Sequence, residues 1–443
     1  MVWKKNAETG ASTSLPAAAN EWTDHPAHHT FSFAQITLFV ELVLRAATSL
    51  RGASGALKLF ASHVGPHFPC SAPSPNGGCD WLLRIGLYEL QRPLEKSDDW
   101  IWIVDHTSQV GTIRCLLIVG FRQSQWLKLQ RPLEFQDLDV IALAPAETTT
   151  AEVTERQLRL ATERTGNPRA ILSDQGRDIQ KAVRLFSEDH PSTSHVHDVK
   201  HKLALFLKSE LENDPQWATF CKKLASVRMA LRQSSLQFLS PPAMKTFARY
   251  MNLAEIVKWA VKTRKFLDQP ISPTSEPLNI GELNIALKWL RDYDVDLDRW
   301  NVFIDVINSS LTYMRKNGFH AGAEAELRHE LEPMVSGQEG PQRLMERFLT
   351  FVHGESEKAH PSEHLPASSE IIESLIGTGK RLEGQQSKGS FTKMILSMAA
   401  AVAVPTRDLI QDAFQTIKTK DVAKWVQQTI GVSMQAKRRR AFQ

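Results

Sequence analysis

The chain has 443 residues, 42% hydrophobic and 23% charged, which excludes a fibrous or wholly disordered protein and leaves ample length for more than one core. Its 53 Lys and Arg against 49 Asp and Glu give a net charge of only +4, which excludes a uniformly polycationic coat but allows strongly segregated charge. Cysteines at 70, 79, 115 and 221 form neither the close pairs of a zinc site nor a secreted disulfide framework, so buried thiols in a reducing compartment are expected. The apolar stretch 394–404 is too short to span a bilayer, and the polar start MVWKKNAETGASTS lacks the apolar core of a signal peptide. A cytoplasmic protein without a membrane partner is expected, nucleoid-associated if bacterial.

Residues 1–30 are rich in Ala, Thr, Ser and His without periodicity and read as a flexible arm. Over residues 31–95 the spacing predicts three short helices: Ile36, Phe39, Val40, Val43 and Leu44 on the first, SGALKLFASHV on the second, and CDWLLRIGLYEL on the third. Ser74 caps this last helix and Pro75 takes its first position. The period then changes. WIWIVDHT, TIRCLLIVGFR and DVIALA are β-branched and apolar, and read as three strands of a largely buried sheet. The helix TAEVTERQLRLATERTG, the strand PRAILSDQG, the helix DIQKAVRLFSED, the strand STSHVHDV and the helix KHKLALFLKSELE follow. The order β-β-β-α-β-α-β-α is that of a ribonuclease H-like α/β core, whose first part is assigned to residues 96–204. Residues 205–366 are helical in period throughout and form an all-α insertion. A helix beginning at SSEIIESLIGTGKRL returns the chain to the core over 367–400, and 401–443 is a basic helical tail.

Asp105 ends the first strand on the face of Ile101 and Ile103, and Asp174 ends the apolar run AILS just before Gly176, whose missing side chain would leave room for a ligand. Glu373 falls in the opening turns of the helix started by Ser368 or Ser369. Acids at the ends of parallel strands lie where such sheets place their sites. Three carboxylates there suit two Mg²⁺ ions, with Mn²⁺ as a substitute, since hard cations accept a few carboxylates plus substrate phosphates and a metal pair serves phosphoryl transfer. Each acid also has a structural reading: Asp105 and Asp174 as caps of a turn and a helix, Glu373 as a favourable charge at a helix N-terminus. Glu370, one turn from Glu373, competes as third acid. Asp178 reads as a first-turn helix residue and His106 as a strand-end residue.

The segments DHT at 105–107, SDQGRDIQKAV at 173–183 and SSEIIESLIGTGK at 368–380 resemble the three acid-bearing segments of a DDE insertion-sequence transposase, over roughly residue 81 to the C-terminus. Their order, with a large helical insertion before the glutamate helix, is similar to the hAT and Mutator groups. The resemblance implies Asp105, Asp174 and Glu373 as catalytic and metal-binding residues, and double-stranded DNA, both transposon ends and target, as partner and substrate. It also implies a homodimer or higher oligomer on DNA. Asp198-Val-Lys-His201 matches the aspartate or cysteine, two residues, histidine signature of these groups, which implies a supporting role for Asp198 and His201; a plain strand-end hydrogen bond between the two is the alternative. The function expected is metal-dependent cleavage at transposon ends and strand transfer. The alternatives are a transposase-derived DNA-binding protein that does not cut, and a ribonuclease H-like nuclease that does not join.

Duplex DNA needs basic groups gathered on one surface. Residues 200–268 hold 13 basic and 5 acidic side chains, a surplus of +8, whereas 269–373 hold 9 and 18, a deficit of −9. Residues 374–443 hold 12 and 4, again +8. The candidate phosphate contacts are Lys200, Lys202, Lys208, Lys222, Lys223, Arg228 and Arg232, then Lys380, Arg381, Lys388, Lys393 and the run Lys437, Arg438, Arg439 and Arg440. The three N-terminal helices resemble a helix-turn-helix reading DNA through the third, which carries Arg84, although residues 1–100 hold 8 basic against 9 acidic groups. The alternating Asp292, Asp294, Asp296 and Asp298 lack the Gly and Glu of a calcium loop and read as a solvated turn. Trp217, Trp259, Trp289 and Trp300 read as core of the insertion, with base stacking as the alternative.

Overall fold

The computed structural model describes residues 22–63, 71–108, 113–129, 131–174, 176–243, 253–271, 278–385, 391–432 and 434–442. Cys70, Lys388 and most of the N-terminal arm lie outside these residues. Ser32 caps helix α1 (Phe33–Leu44) in a reciprocal pair with Gln35, and α2 (Leu50–His63) follows. The Ser74 hydroxyl accepts from the Gly77 amide and Pro75 opens α3 (Pro75–Gln91), as the sequence predicts.

Strand β1 (Trp100–Ser108) sends Trp100, Trp102 and Val104 to one apolar layer and Ile101 and Ile103 to the other. β2 (Arg114–Arg122) runs antiparallel to β1; a short helix α4 (Gln123–Trp126) precedes β3 (Asp139–Ala146), which pairs antiparallel with β2. Helix α5 (Ala151–Thr165) then crosses to β4 (Ala170–Ser173), and α6 (Arg177–Asp189) crosses to β5 (Ser194–His197). β1, β4 and β5 are parallel, in the order β3-β2-β1-β4-β5. This mixed sheet with flanking helices is consistent with a ribonuclease H-like core. Leu158, Ala161, Ile179, Val183 and Phe186 of α5 and α6 cover the tryptophan face.

From β5 to the glutamate helix the described elements are helical apart from one bridge between Phe319 and Leu365. They are α7 (Val199–Glu212), α8 (Pro215–Leu231), α9 (Leu253–Asp268), α10 (Ile280–Leu287), α11 (Asp294–Asn317), α12 (Ala323–Val335) and α13 (Glu339–Ser356). Trp217, Phe220 and Trp300 meet with ring centroids 5.0 to 5.8 Å apart, and Trp289 and Tyr293 pack onto Phe220, so these tryptophans are core. The aspartate run is not a turn. Asp294 and Asp296 lie in the first turn of α11, where negative charge favours the helix, and Arg264 and Arg299 neutralise Asp294, Asp298 and Asp296.

The chain closes through α14 (Glu370–Glu383), α15 (Leu396–Val402), α16 (Arg407–Thr416), α17 (Thr419–Thr429) and α18 (Met434–Ala441). Within the basic helical tail expected over 401–443, Val402, Ile410, Ala413, Phe414, Ile417 and Val422 are buried in the common core. One sequence expectation changes here. Helix α3 does not offer a reading face: Trp81, Leu82, Leu83, Ile85 and Leu87 are buried, and α3 packs along α15, α16 and α17. Arg84 is buried as well. Its guanidinium donates to the carbonyls of Ile417 (2.7 Å) and Phe414 (2.7 Å) and lies over the Phe414 ring, leaving nothing for phosphate. The α3–α15 contact depends on Gly86, where a Cβ would stand 2.2 Å from the Leu396 carbonyl oxygen. Gly86→Ala therefore forces two helix backbones apart, and a loss of about 2 to 3 kcal/mol in chemical denaturation is expected. An unchanged midpoint would show that this seam yields easily.

Candidate active site

Strand register brings the acids together. Ile103 of β1 pairs with Leu172 of β4, which pairs with Val196 of β5, and all three are buried in one apolar layer. The last pairs are Val104 with Ser173 and Ser173 with His197. Asp174 and Asp198 are the residues that directly follow the ends of the adjacent parallel strands β4 and β5, and Asp105 follows Val104, the β1 partner of Ser173. The Asp198 amide donates to the Ser173 carbonyl at 3.1 Å, holding this alignment past the end of β5. Asp105 is not the end of β1, as the sequence suggested. It pairs on with Leu117 of β2, and what ends beside it is β4.

Asp198 is fully buried and ties two helices to the strand ends. It caps α7 by accepting from the His201 amide (2.8 Å) and ring Nδ1 (3.1 Å). Its other oxygen accepts from the amide (2.6 Å) and hydroxyl (2.8 Å) of Ser369, the residue at the start of α14. Although burial opposes it, the bonds from His201 and Ser369 hold the Asp198 carboxyl below its ordinary range. The same contact raises the His201 imidazole above its usual value, with Glu373 and Asp174 adding to the effect. The strand-end bond between Asp198 and His201 is thus real, and it also anchors the glutamate helix.

Glu373 lies one turn into α14. Its Oε2 is 2.9 Å from Lys200 Nζ and its Oε1 is 3.7 Å from His201 Nε2. Glu370 faces another way: the Arg315 guanidinium from α11 donates to both its oxygens at 2.6 and 2.7 Å, and Lys200 reaches it at 3.3 Å. Glu370 is therefore a tie between the insertion and α14. Lys200, expected as a phosphate contact, is occupied by these two acids.

Asp105 carries the electrostatic signature of the site. Burial, then Asp174 and more weakly Glu373, push its carboxyl up to about 7, against an amide bond from His106 and the nearby His201 imidazole. Asp174 has a local role too, since its Oδ1 accepts from the Gly176 amide at 2.9 Å. Gly176 does not open space for a ligand. A Cβ there would stand 3.0 Å from Asp174 Oδ1, so the glycine lets the chain close over that carboxylate. Among the described residues no group of three or more His, Cys, Asp or Glu side chains stands in metal-holding geometry. The acids share a field, while Glu373 is engaged by Lys200.

No protein-family model matches the sequence, and a search of curated proteins finds no match. The chain is similar to a solved structure, the Drosophila P element transposase strand transfer complex, with a TM-score of 0.43 and 12% identity over 86% of this chain and 94% of that one.

The basic candidates divide by burial. Lys208, Lys222, Lys223 and Arg232 are exposed along α7 and α8, with Lys208 3.7 Å from Glu212. Arg228 is half-buried and donates to the Pro241 carbonyl, and Lys202 sits over the Phe206 and Phe351 rings. Lys380 and Lys393 are exposed, Lys393 facing Asp80 at 3.4 Å, and the run from Lys437 to Arg440 falls on exposed α18. Arg381 is not a free cation. It donates to the Val43 carbonyl, and its Nη1 is buried without a hydrogen-bond partner among the described residues. Sequence reasoning missed Arg315 and the contact from Asp198 to Ser369. The spacing of Asp198 ahead of an apolar helix signalled the cap, whereas nothing local signalled Arg315. No helix among the described residues is long and apolar enough to cross a membrane.

Proposed function

We propose that this chain is a DNA transposase in which Asp105, Asp174 and Glu373 hold Mg²⁺, or Mn²⁺ in its place, and act on double-stranded DNA as a homodimer or larger assembly. The reading rests on one observation above all: Asp105 of β1 lies beside the end of β4, where Asp174 follows, and burial first, then Asp174 and Glu373, raise its carboxyl. The donors are hard carboxylate oxygens, which fit a hard divalent cation. When bound, such ions supply charge neutralisation and activation of the attacking oxygen in phosphoryl transfer. Asp105 and Asp174 would hold them from the rigid sheet edge and Glu373 from α14. Asp198 keeps α14 seated on the strand ends through Ser369, and His201, its imidazole raised by Asp198, stands 3.7 Å from Glu373 where it could meet a phosphodiester. The exposed basic faces of α7, α8 and α18 would follow the DNA backbone.

The test is strand cleavage of DNA carrying the element's own ends, with joining to a second duplex scored separately. Cleavage that requires Mg²⁺ or Mn²⁺ and disappears in Asp174→Asn and Glu373→Gln, with unchanged circular dichroism, is expected. Cleavage without joining would leave a nuclease. The engagement of Glu373 by Lys200 favours a second reading, a DNA-binding protein that does not cut. Its outcome in the same assay is metal-independent binding with no product.

A further inference from the structure

Lys200 stands in the first turn of α7, two residues after the buried Asp198 cap, so its backbone is fixed relative to the strand ends. Its side chain is only 19% exposed, and its ammonium lies 2.9 Å from Glu373 Oε2 and 3.3 Å from Glu370 Oε1. The two acids differ in what else they hold. Glu370 is clamped by two donors of Arg315, whereas among the described residues Glu373 has besides Lys200 only a 3.7 Å approach from His201. Glu373 is the one of the pair that can leave.

We infer that Lys200 is the resident counter-cation of Glu373 and that a divalent ion gains this carboxylate by exchange with the ammonium; the inference rests on the metal-site reading above. The physical reason is charge balance at the sheet edge. A half-buried Glu373 within electrostatic reach of Asp105 is costly unless a cation is close, and an ammonium is a compact point charge without the fork that would lock a carboxylate in place. A dication carries twice the charge and can face three carboxylates at once. On exchange no covalent bond changes: Glu373 passes from ammonium to metal, and the ammonium stays on Glu370, itself held by Arg315. Lys200 is then a positioning residue that keeps the glutamate parked until the ion arrives.

The experiment is Mn²⁺ binding by the full chain, read from the electron paramagnetic resonance of free Mn²⁺, with Mg²⁺ as competitor. Removing the competitor in Lys200→Met should tighten Mn²⁺ binding about three- to tenfold, the range expected for one partly screened ion pair. The conservative Lys200→Arg should return affinity to the wild-type value or below, and Lys200→Met in a Glu373→Gln background should change nothing. Lys200→Gln makes the same comparison if the Met variant folds poorly by circular dichroism. Equal or weaker Mn²⁺ binding in both neutral variants would overturn the exchange. A wild-type affinity unaffected by Asp105→Asn or Asp174→Asn would instead overturn the metal site itself, so the two failures are distinguishable.

Discussion

Asp105→Asn is expected to abolish strand cleavage and yet to melt at a higher temperature than the wild type at pH 8 without divalent cations. If Asp105, Asp174 and Glu373 hold metal as proposed, loss of one carboxylate removes several kcal/mol of charge stabilisation in phosphoryl transfer, about a thousandfold or more in rate. The stability gain follows from the raised carboxyl. In the unfolded chain Asp105 titrates at its ordinary value of 3.8, whereas in the folded protein burial and Asp174 move it to about 7. Between those values the folded state binds a proton that the unfolded state has released, so stability falls as pH rises through this window. The full cost, on the order of 2 to 4 kcal/mol, is in place at pH 8, and Asn escapes it because it carries no charge. Mg²⁺ should stabilise the wild type and not the variant. A variant that still cuts would remove Asp105 from the catalytic set. One that melts lower at pH 8, or a wild type with no stability slope between pH 4 and 7, would show that the carboxylates do not burden one another.

Asp198→Ala is expected to be the most destabilising single change near the site, by about 3 to 5 kcal/mol in chemical denaturation at pH 7, because truncation leaves buried donors without an acceptor. Four hydrogen bonds converge on this carboxylate, two from His201 and two from Ser369. Their loss frees the start of α14, so amide exchange at Ser369 and Ile372 should rise more than at Leu382. Asp198→Asn, which accepts through only one oxygen, should fall between. The Asp198 carboxyl is held below its usual range despite burial, so its contribution is present above the unfolded value near 3.8 and is lost as pH falls through the lower folded value. The gap between wild type and Asp198→Asn should therefore close in strong acid. A cost under about 1 kcal/mol, no more than an exposed cap supplies, would mean that α14 is held by its apolar face alone.

Much of the fold was legible because local chemistry and global arrangement agree. WIWIV has period 2 with both faces apolar and became the central strand, and Ser74-Pro75 opened a helix where capping physics places one. The aspartates of DYDVDLD suit a turn and a helix N-terminus equally by local chemistry, and the choice falls to Arg264 and Arg299. Arg84 differs from its sequence expectation for a related reason. A helix buried on every side still shows a charged residue in its sequence, and the free carbonyls at the end of α16 that receive this guanidinium lie more than 300 positions away.

The order of strands and helices, the acids at the ends of apolar runs and the separation of basic from acidic stretches are properties of neighbouring residues, and the sequence alone determined them. Which acids share a space was decided only by the tertiary structure. Strand register brings the ends of β4 and β5, which Asp174 and Asp198 directly follow, alongside β1, and packing of the insertion helix α11 gives Glu370 to Arg315 while Lys200 bridges to Glu373. The reason is physical: side-chain charges interact over a few ångströms of space, and the distance along the chain that a sequence displays bears no relation to that separation until the backbone has folded.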